Sequence, residues 1–336
     1  SSNGVSTLSK DGDTITLAFT VSEAGGSPTC DIEIDGTDAT NAETVNDLVG
    51  NTWSCTVVTA DADDDGAVTF SITFSDTAGN NGNAVTAVTD GTAVTHDDTV
   101  PTLSAVTMAS NNAVSTLTKD GDTVTISITS SEAIGTPTCA VTIDGAAATN
   151  TEGISGSGTS WSCTLVTHDS DDDGAVAFSI GFSDSAGNAG TAVTAVTGGS
   201  GVTHDDTVPT LTSVTIASDN TVTTLSKDDD TVTLSFTSSE TIGTPSCDME
   251  FTAGADATNT ETITNPGSGN NWKCAVVAHD SDADGAVVFS IAFSDSAGNA
   301  GTAVTAVTGG SGVTHDDTVP TVSSITFADT ALKAGE

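Results

Sequence analysis

The sequence predicts an all-β chain, a tandem of seven-stranded sandwiches joined end to end as a rod. Three observations carry this: a long internal repeat, strict two-residue alternation of apolar side chains, and the absence of any capped helical periodicity. The string "THDDTVPT" stands at 95–102, 203–210 and 314–321, so His96, His204 and His315 are 108 and 111 residues apart. Trp53, Trp161 and Trp272 keep the same intervals. A period of that length can bury its own core, which makes each repeat a domain and not one unit of a short-repeat solenoid. The repeats span 1–98, 99–206 and 207–317, and 318–336 opens a fourth. Residues 2–13 align with 111–122, so the first repeat lacks the segment that matches "PTLSAVTMAS".

Each predicted element follows from pattern. In the second repeat Val176, Phe178, Ile180 and Phe182 alternate with small or polar residues, as a half-buried strand does. Val124, Ile126 and Ile128 alternate likewise, and Thr and Val, which favour the pleated conformation, dominate throughout. Seven strands are expected, at 101–110, 123–131, 139–144, 146–152, 160–167, 175–183 and 191–197. The last, "TAVTAVT", is the weakest fit because its valines recur every three residues. Seven short strands in about 100 residues describe an immunoglobulin-like sandwich. An odd number carries the chain from one pole to the other.

That up-and-down path brings distant acidic residues together. The pole where the linker arrives should gather Asp97 and Asp98 from the linker, Glu132 from the loop "SSEAIGTP", and Asp184 and Asn188 from "SDSAGN". The next junction repeats the set with Asp205, Asp206, Glu240, Asp295 and Asn299. Carboxylates about 4 Å apart repel by roughly 4 kcal/mol at an effective dielectric near 20, and an all-oxygen set of this kind suits calcium. The linker proline then stiffens the approach to the following strand. The opposing interpretation is that Asp, Asn and Gly simply populate turns.

A second acidic motif lies at the other pole. "DADDDG", "DSDDDG" and "DSDADG" match the opening of an EF-hand loop, D-x-D-x-D-G, with Asp61, Asp63 and Asp65, Asp169, Asp171 and Asp173, and Asp280, Asp282 and Asp284. The match stops there, because position twelve is Ile72, Ile180 or Ile291 where a bidentate Glu belongs. Metal and solvated turn both stay open for these loops, with Asp120 or Asp122 as ligands that the metal alternative could borrow.

Two cysteines per repeat, without a second Cys or His pair at zinc spacing, point to one disulfide each and an oxidising compartment. The expected bonds are Cys30–Cys55, Cys139–Cys163 and Cys247–Cys274. Five lysines face 46 acidic residues, a formal charge of −41. Such a surface suits cations and disfavours nucleic acid and anionic membranes. No apolar run reaches the roughly 18 residues of a membrane span. Aromatics are only 4%, too few for a sugar-binding platform, and neither a G-x-S-x-G elbow nor a P-loop occurs. The three linker histidines are expected to be polar linker residues, and Lys10, Lys119 and Lys227 to be exposed turn residues.

"TVPTLSAVT", "SEAIGTPT", "FSDSAGNAGTAVT" and the Asp-rich junction resemble the bacterial immunoglobulin-like repeats of large calcium-dependent surface adhesins and other giant secreted proteins. The resemblance covers all three repeats. It implies calcium held between domains by Asp97, Asp98, Asp184 and Asn188, and by Asp205, Asp206, Asp295 and Asn299. The cysteine pair departs from it, since many such repeats have none. The expectation is therefore a non-catalytic extracellular stalk at the cell surface. Its partners are neighbouring repeats, and a surface or glycan ligand would be held elsewhere in the full protein. A filament, sheath or surface-layer subunit is the alternative, assembled by donor-strand exchange through 320–328. Because "STLSKDGD" at 6–13 and "DTALKAGE" at 329–336 would supply one turn twice, the sequence favours a window on a longer chain.

Overall fold

The computed structural model describes residues 1–252, 254–267 and 269–326. The chain divides into two compact units, Ser1–Asp205 and Asp206–Glu336. The first holds two sandwiches with separate cores and the second holds one.

The second repeat shows the complete arrangement. One sheet runs Gly153–Ser157, Ser160–Val166, Thr123–Ser130, Leu103–Ser110 in spatial order. The other runs Leu117–Thr118, Thr203–His204, Gly174–Gly181, Thr138–Ile143, Ala146–Ala147. Alternation sets which side chains meet between the layers. Ile126 lies opposite both Met108 and Cys163, and Ile128 opposite Val106 and Trp161. On the facing sheet Val141 pairs with Phe178 and Cys139 with Ile180. Ile126, Ile143, Leu165 and Ile180 are at most 1% exposed, so the core sits between the sheets, as expected for a sandwich. Cys139 and Cys163 belong to opposite sheets and are bonded to each other, as are Cys30 and Cys55 in the first repeat.

Two expected elements differ. Residues 191–197 are no strand; only Val193 bridges Ile180, with hydrogen bonds of 2.9 and 3.0 Å. A three-residue spacing turns successive valines to different sides of a pleat, so the segment cannot continue a two-residue ladder. The closing strand is instead the dipeptide Thr203–His204, parallel to Leu117–Thr118 and antiparallel to Gly174–Ala175. The strand expected at 146–152 is split: Ala146–Ala147 stays in one sheet and Gly153–Ser157 crosses to the other.

The third repeat repeats the first sheet with Leu211–Ser218, Thr231–Ser238, Asn271–Val277 and Thr262–Thr264. In the first repeat that sheet has three strands, Thr14–Thr20, Thr52–Val58 and Thr44–Asp47. Among the described residues Thr14–Thr20 is its edge. Of the fourth repeat's expected strand, 318–326 forms none, and 327–336 lie outside the described residues.

Candidate metal centre

The linker is fixed before its carboxylates are placed. Thr95–His96 runs parallel to Leu8–Ser9, and the Asp97 N–H donates to the Ser9 carbonyl at 2.9 Å. The Asp97 carbonyl accepts from Asn188 Nδ2 at 2.6 Å, which ties the linker to the second repeat. Asn3 Nδ2 and Lys10 Nζ brace the same contact by donating to the carbonyls of Ala186 and Gly187 at 2.9 and 2.8 Å.

The loop "DSAGN" is built around its aspartate. Asp184 Oδ1 accepts from the N–H groups of Gly187 and Asn188 at 2.7 and 2.9 Å, and Oδ2 accepts from Asn188 Nδ2 at 2.9 Å. Gly187 sits at φ +92°, a conformation that costs glycine least. Asp184 is 5% exposed. Glu132 approaches from the neighbouring loop, where Ser130 Oγ donates to its carbonyl. One carboxylate oxygen each from Asp97, Glu132 and Asp184 lies within 4.8 Å of the others. Oxygens bound to one calcium at about 2.4 Å can be no more than about 4.8 Å apart, so the three meet that limit. Glu132 Oε1 is fully buried and has no hydrogen-bond partner. Burial, then the charges of Asp97 and Asp184, raises the Glu132 carboxyl above its ordinary value. Burial, then Asp184, does the same to Asp97. Partly desolvated like charges facing an orphaned oxygen form a set that a cation would relieve.

Asp98 was expected in this set and is not in it. Its Oδ2 lies 2.9 Å from His96 Nε2 and its Oδ1 accepts from the Asp11 N–H at 2.5 Å. Just past the strand Thr95–His96 the linker turns Asp98 toward His96, Asp11 and Asp65, which leaves Asp97 to face the loop. In the second unit, Asp295 Oδ1 accepts from Gly298 and Asn299 N–H at 2.7 and 2.8 Å, and Ile242, beside Glu240, bridges Asp295. Asp205 closes the first unit, its N–H donating to the Thr118 carbonyl at 2.9 Å, and Asp206 opens the second.

The D-x-D-x-D-G loops use their aspartates as turn caps. Asp63, Asp171 and Asp282 each accept two backbone N–H groups, Asp171 from Thr149 and His168 at 2.8 and 2.9 Å. Asp65 Oδ1 and Oδ2 accept from the Asp98 N–H and Thr99 Oγ1, and Asp284 does the same for Asp317 and Thr318. Asp173 holds the matching position. Asp169 and Asp280 face His168 Nδ1 and His279 Nδ1 at 2.8 and 2.9 Å, and the Asp61 N–H donates to Asp11 at 3.1 Å. Asp120, a ligand the metal alternative could borrow, accepts the Asp169 N–H at 3.1 Å. Among the described residues none of these loops gathers three ligand atoms within 4.8 Å.

Burial works to raise the Asp171 carboxyl, but the hydrogen bonds from Thr149 and His168 outweigh it and hold it below 3.8. Its contribution to stability is therefore present above that value and is lost as pH falls through the lowered one. Asp171→Asn is expected to cost roughly 1–2 kcal/mol at pH 7 and to flatten the acid limb of the stability curve. Denaturant unfolding between pH 7 and 2.5 reads both effects.

Three features escaped sequence reasoning. The linker histidines are not linker-exposed. His96, His204 and His315 are 0% exposed strand residues. Ser9 Oγ–His96–Asp98 and Ser226 Oγ–His315–Asp317 form lines resembling a nucleophilic triad, but Ser9 is also 0% exposed, so no substrate reaches it. Asp31, Glu33 and Asp38, and Asp248, Glu250 and Asp256, form two further acidic groups on largely solvated strand faces. Acidic residues at i and i+2 on a strand were the available signal. The third disulfide is corrected: Cys247 and Cys274 stand as thiols. A hydrogen bond with Cys247, then burial, holds the Cys274 thiol far above the usual range. The strands bring the two sulfurs together, but strand placement does not oxidise them.

No protein-family model and no curated protein matches the chain. Among solved structures it is similar to an I-band fragment of titin, with 11% identity and a TM-score of 0.39 over 94% of this chain and 96% of that one. It is also similar to the mouse nectin-like molecule 4 ectodomain, with 11% identity and a TM-score of 0.30 over 94% and 98%. No helix among the described residues is long and apolar enough to cross a membrane.

Proposed function

We propose that this chain is a non-catalytic extracellular repeat stalk of an adhesin or surface fibre, rigidified by calcium at the junctions between repeats. One observation carries the reading: Asp97, Glu132 and Asp184, from three segments far apart in sequence, converge within 4.8 Å around a buried carboxylate oxygen with no partner. Hydrogen bonds from Asn188, Asn3 and Lys10 already position the two repeats on either side, so a cation there would lock the junction. The remaining calcium ligands would come from solvent, as six to eight oxygens are needed. Two disulfides and the charge of −41 support an oxidising, calcium-rich setting outside the cell. The adhesive ligand belongs to other parts of the full protein.

Small-angle scattering in calcium and then in chelator tests this. The maximum dimension should be long and sharply defined in calcium, and the profile should become that of a flexible string when the ion is removed. Identical profiles would sink the proposal.

A further inference from the structure

Among the described residues the D-x-D-x-D-G loops gather no three ligand atoms within 4.8 Å, yet the third aspartate of the motif has a consistent partner: the linker that leaves its repeat. Asp65 Oδ1 accepts the Asp98 N–H and Oδ2 accepts Thr99 Oγ1, so one carboxylate grips two consecutive linker residues. Asp98 is held by its side chain as well, against His96 Nε2 at 2.9 Å and the Asp11 N–H at 2.5 Å. The Asp97 N–H donates to the Ser9 carbonyl at 2.9 Å. Ser9, Asp11, Asp65 and His96 all belong to the first repeat, which therefore fixes its outgoing linker with its own groups.

The glycine that ends the motif holds the loop in place. A Cβ at Gly66 would lie 2.5 Å from Asp35 Oδ1 and 2.6 Å from Asp35 Cβ, so a larger residue would force the loop and that turn apart. Gly174 meets Asp144 in the same way, with a Cβ 2.6 Å from Asp144 Cβ. This close approach anchors the base of the loop, and Asp65 with it. The linker that leaves the third repeat is gripped alike. Asp284 accepts the Asp317 N–H at 2.7 Å and Thr318 Oγ1, and Asp317 Oδ1 accepts the Asp228 N–H at 2.6 Å.

The grip ends on a carboxylate of the candidate metal centre. The Thr99 N–H donates to Asp97 Oδ1 at 3.3 Å, as the Thr318 N–H does to Asp316 Oδ1 at 3.1 Å. Asp65 thus reaches the Asp97 carboxylate through Thr99. A carboxylate on a loose linker must be ordered as an ion binds, and that cost is subtracted from the affinity; here the linker is ordered beforehand. Loss of a group that hydrogen-bonds a metal ligand typically lowers affinity roughly 10-fold to 100-fold. Charge is a second route from Asp65 to the same carboxylates. Burial, then Asp184, then Asp65 raise the Asp97 carboxyl, and for Glu132 burial, Asp97 and Asp184 come before Asp65. The two routes part at Thr99, which carries no charge.

We infer that Asp65 is a positioning residue for the junction: through Asp98 and Thr99 it sets the linker so that Asp97 is presented to Glu132 and Asp184, and it thereby raises the affinity of that cluster for calcium. The affinity half of this rests on the calcium reading above; the linker half does not. The D-x-D-x-D-G loop is then a clamp on the outgoing linker, and its likeness to a calcium loop is one of sequence alone.

Hydrogen exchange of the 336-residue chain tests this locally, titrated with calcium and repeated in chelator. Exchange over 184–190 reads the ion, and exchange over 95–99 reads the linker. Asp65→Ala should raise the calcium midpoint at 184–190 by roughly 10-fold to 100-fold. Thr99→Val, which keeps the charge of Asp65, should move it in the same direction, and Thr99→Ser, which keeps the hydroxyl, should restore the parent midpoint. Both positions are exposed, so the variants should keep their fold. A role confined to stability would lower the melting temperature and leave the midpoint where it was. An unchanged midpoint in Asp65→Ala would overturn the inference, and so would a shift that Thr99→Val does not share, because charge alone would then be the cause. If protection over 184–190 ignores calcium in the parent chain, the calcium reading fails and the affinity half with it. The linker half is decided in chelator: Asp65→Ala and Thr99→Val should both speed exchange over 95–99, and unchanged exchange there would overturn it.

Discussion

Glu132→Gln is expected to reverse the sign of its effect when calcium is added. In chelator the variant should melt higher than the parent, because it removes one of three carboxylates that lie partly desolvated within 4.8 Å. In calcium the parent should overtake it. A ligand at 100 times its dissociation constant stabilises by about 2.7 kcal/mol, and a variant that has lost a ligand oxygen should keep less than about 1 kcal/mol of that gain. Calorimetry of the first unit in both conditions reads the crossing. Asp184→Asn should behave differently: Asp184 already accepts three hydrogen bonds, so the substitution should destabilise with or without calcium. Two variants that lower stability equally in both conditions would mean that the cluster is only a loop brace.

Replacing Cys139 and Cys163 together by Ala is expected to cost about 3.5 kcal/mol, from the chain entropy regained when a loop of about 25 residues is opened. For a domain of this size that corresponds to a fall in midpoint of about 15 °C or more. The cost is large because the bond joins strands of opposite sheets through a core in which Cys163 is 1% exposed. The same substitutions at Cys247 and Cys274 should cost much less, because these stand as thiols and no crosslink is lost. Thermal unfolding with and without reductant separates the cases. An equal loss in both repeats would show that packing and not the crosslink sets the effect.

How far the fold could be read in advance varied with the regularity of the pattern. Val176, Phe178 and Ile180 alternate without interruption, and Gly174–Gly181 is a strand as expected. "TAVTAVT" has the same residue types at the wrong spacing and forms only a bridge at Val193. Thr203–His204 is too short to show any period, so the closing strand could not be found from sequence. The candidate site followed similar limits. Asp184 and Asn188 were legible because the D-x-A-G-N loop is local, its aspartate bonding groups three and four residues on. Asp97 could not be told from Asp98, since the choice depends on which of the two the folded linker turns toward the loop and which toward His96 and Asp11.

By itself the sequence determined the repeat period, the sandwich class, the alternating cores and the acidic loops, all of which depend on neighbours within a few residues or on copies at a fixed interval. Only the tertiary structure decided that His96 is buried against Ser9, that Asp63, Asp171 and Asp282 spend their oxygens on backbone N–H groups, and that Glu132 Oε1 is left without one. Each of those outcomes is set by groups tens of residues apart competing for the same oxygen or the same buried volume. Residue type and spacing cannot rank such competitors, because the winner depends on which backbone donors the folded chain brings within hydrogen-bond reach.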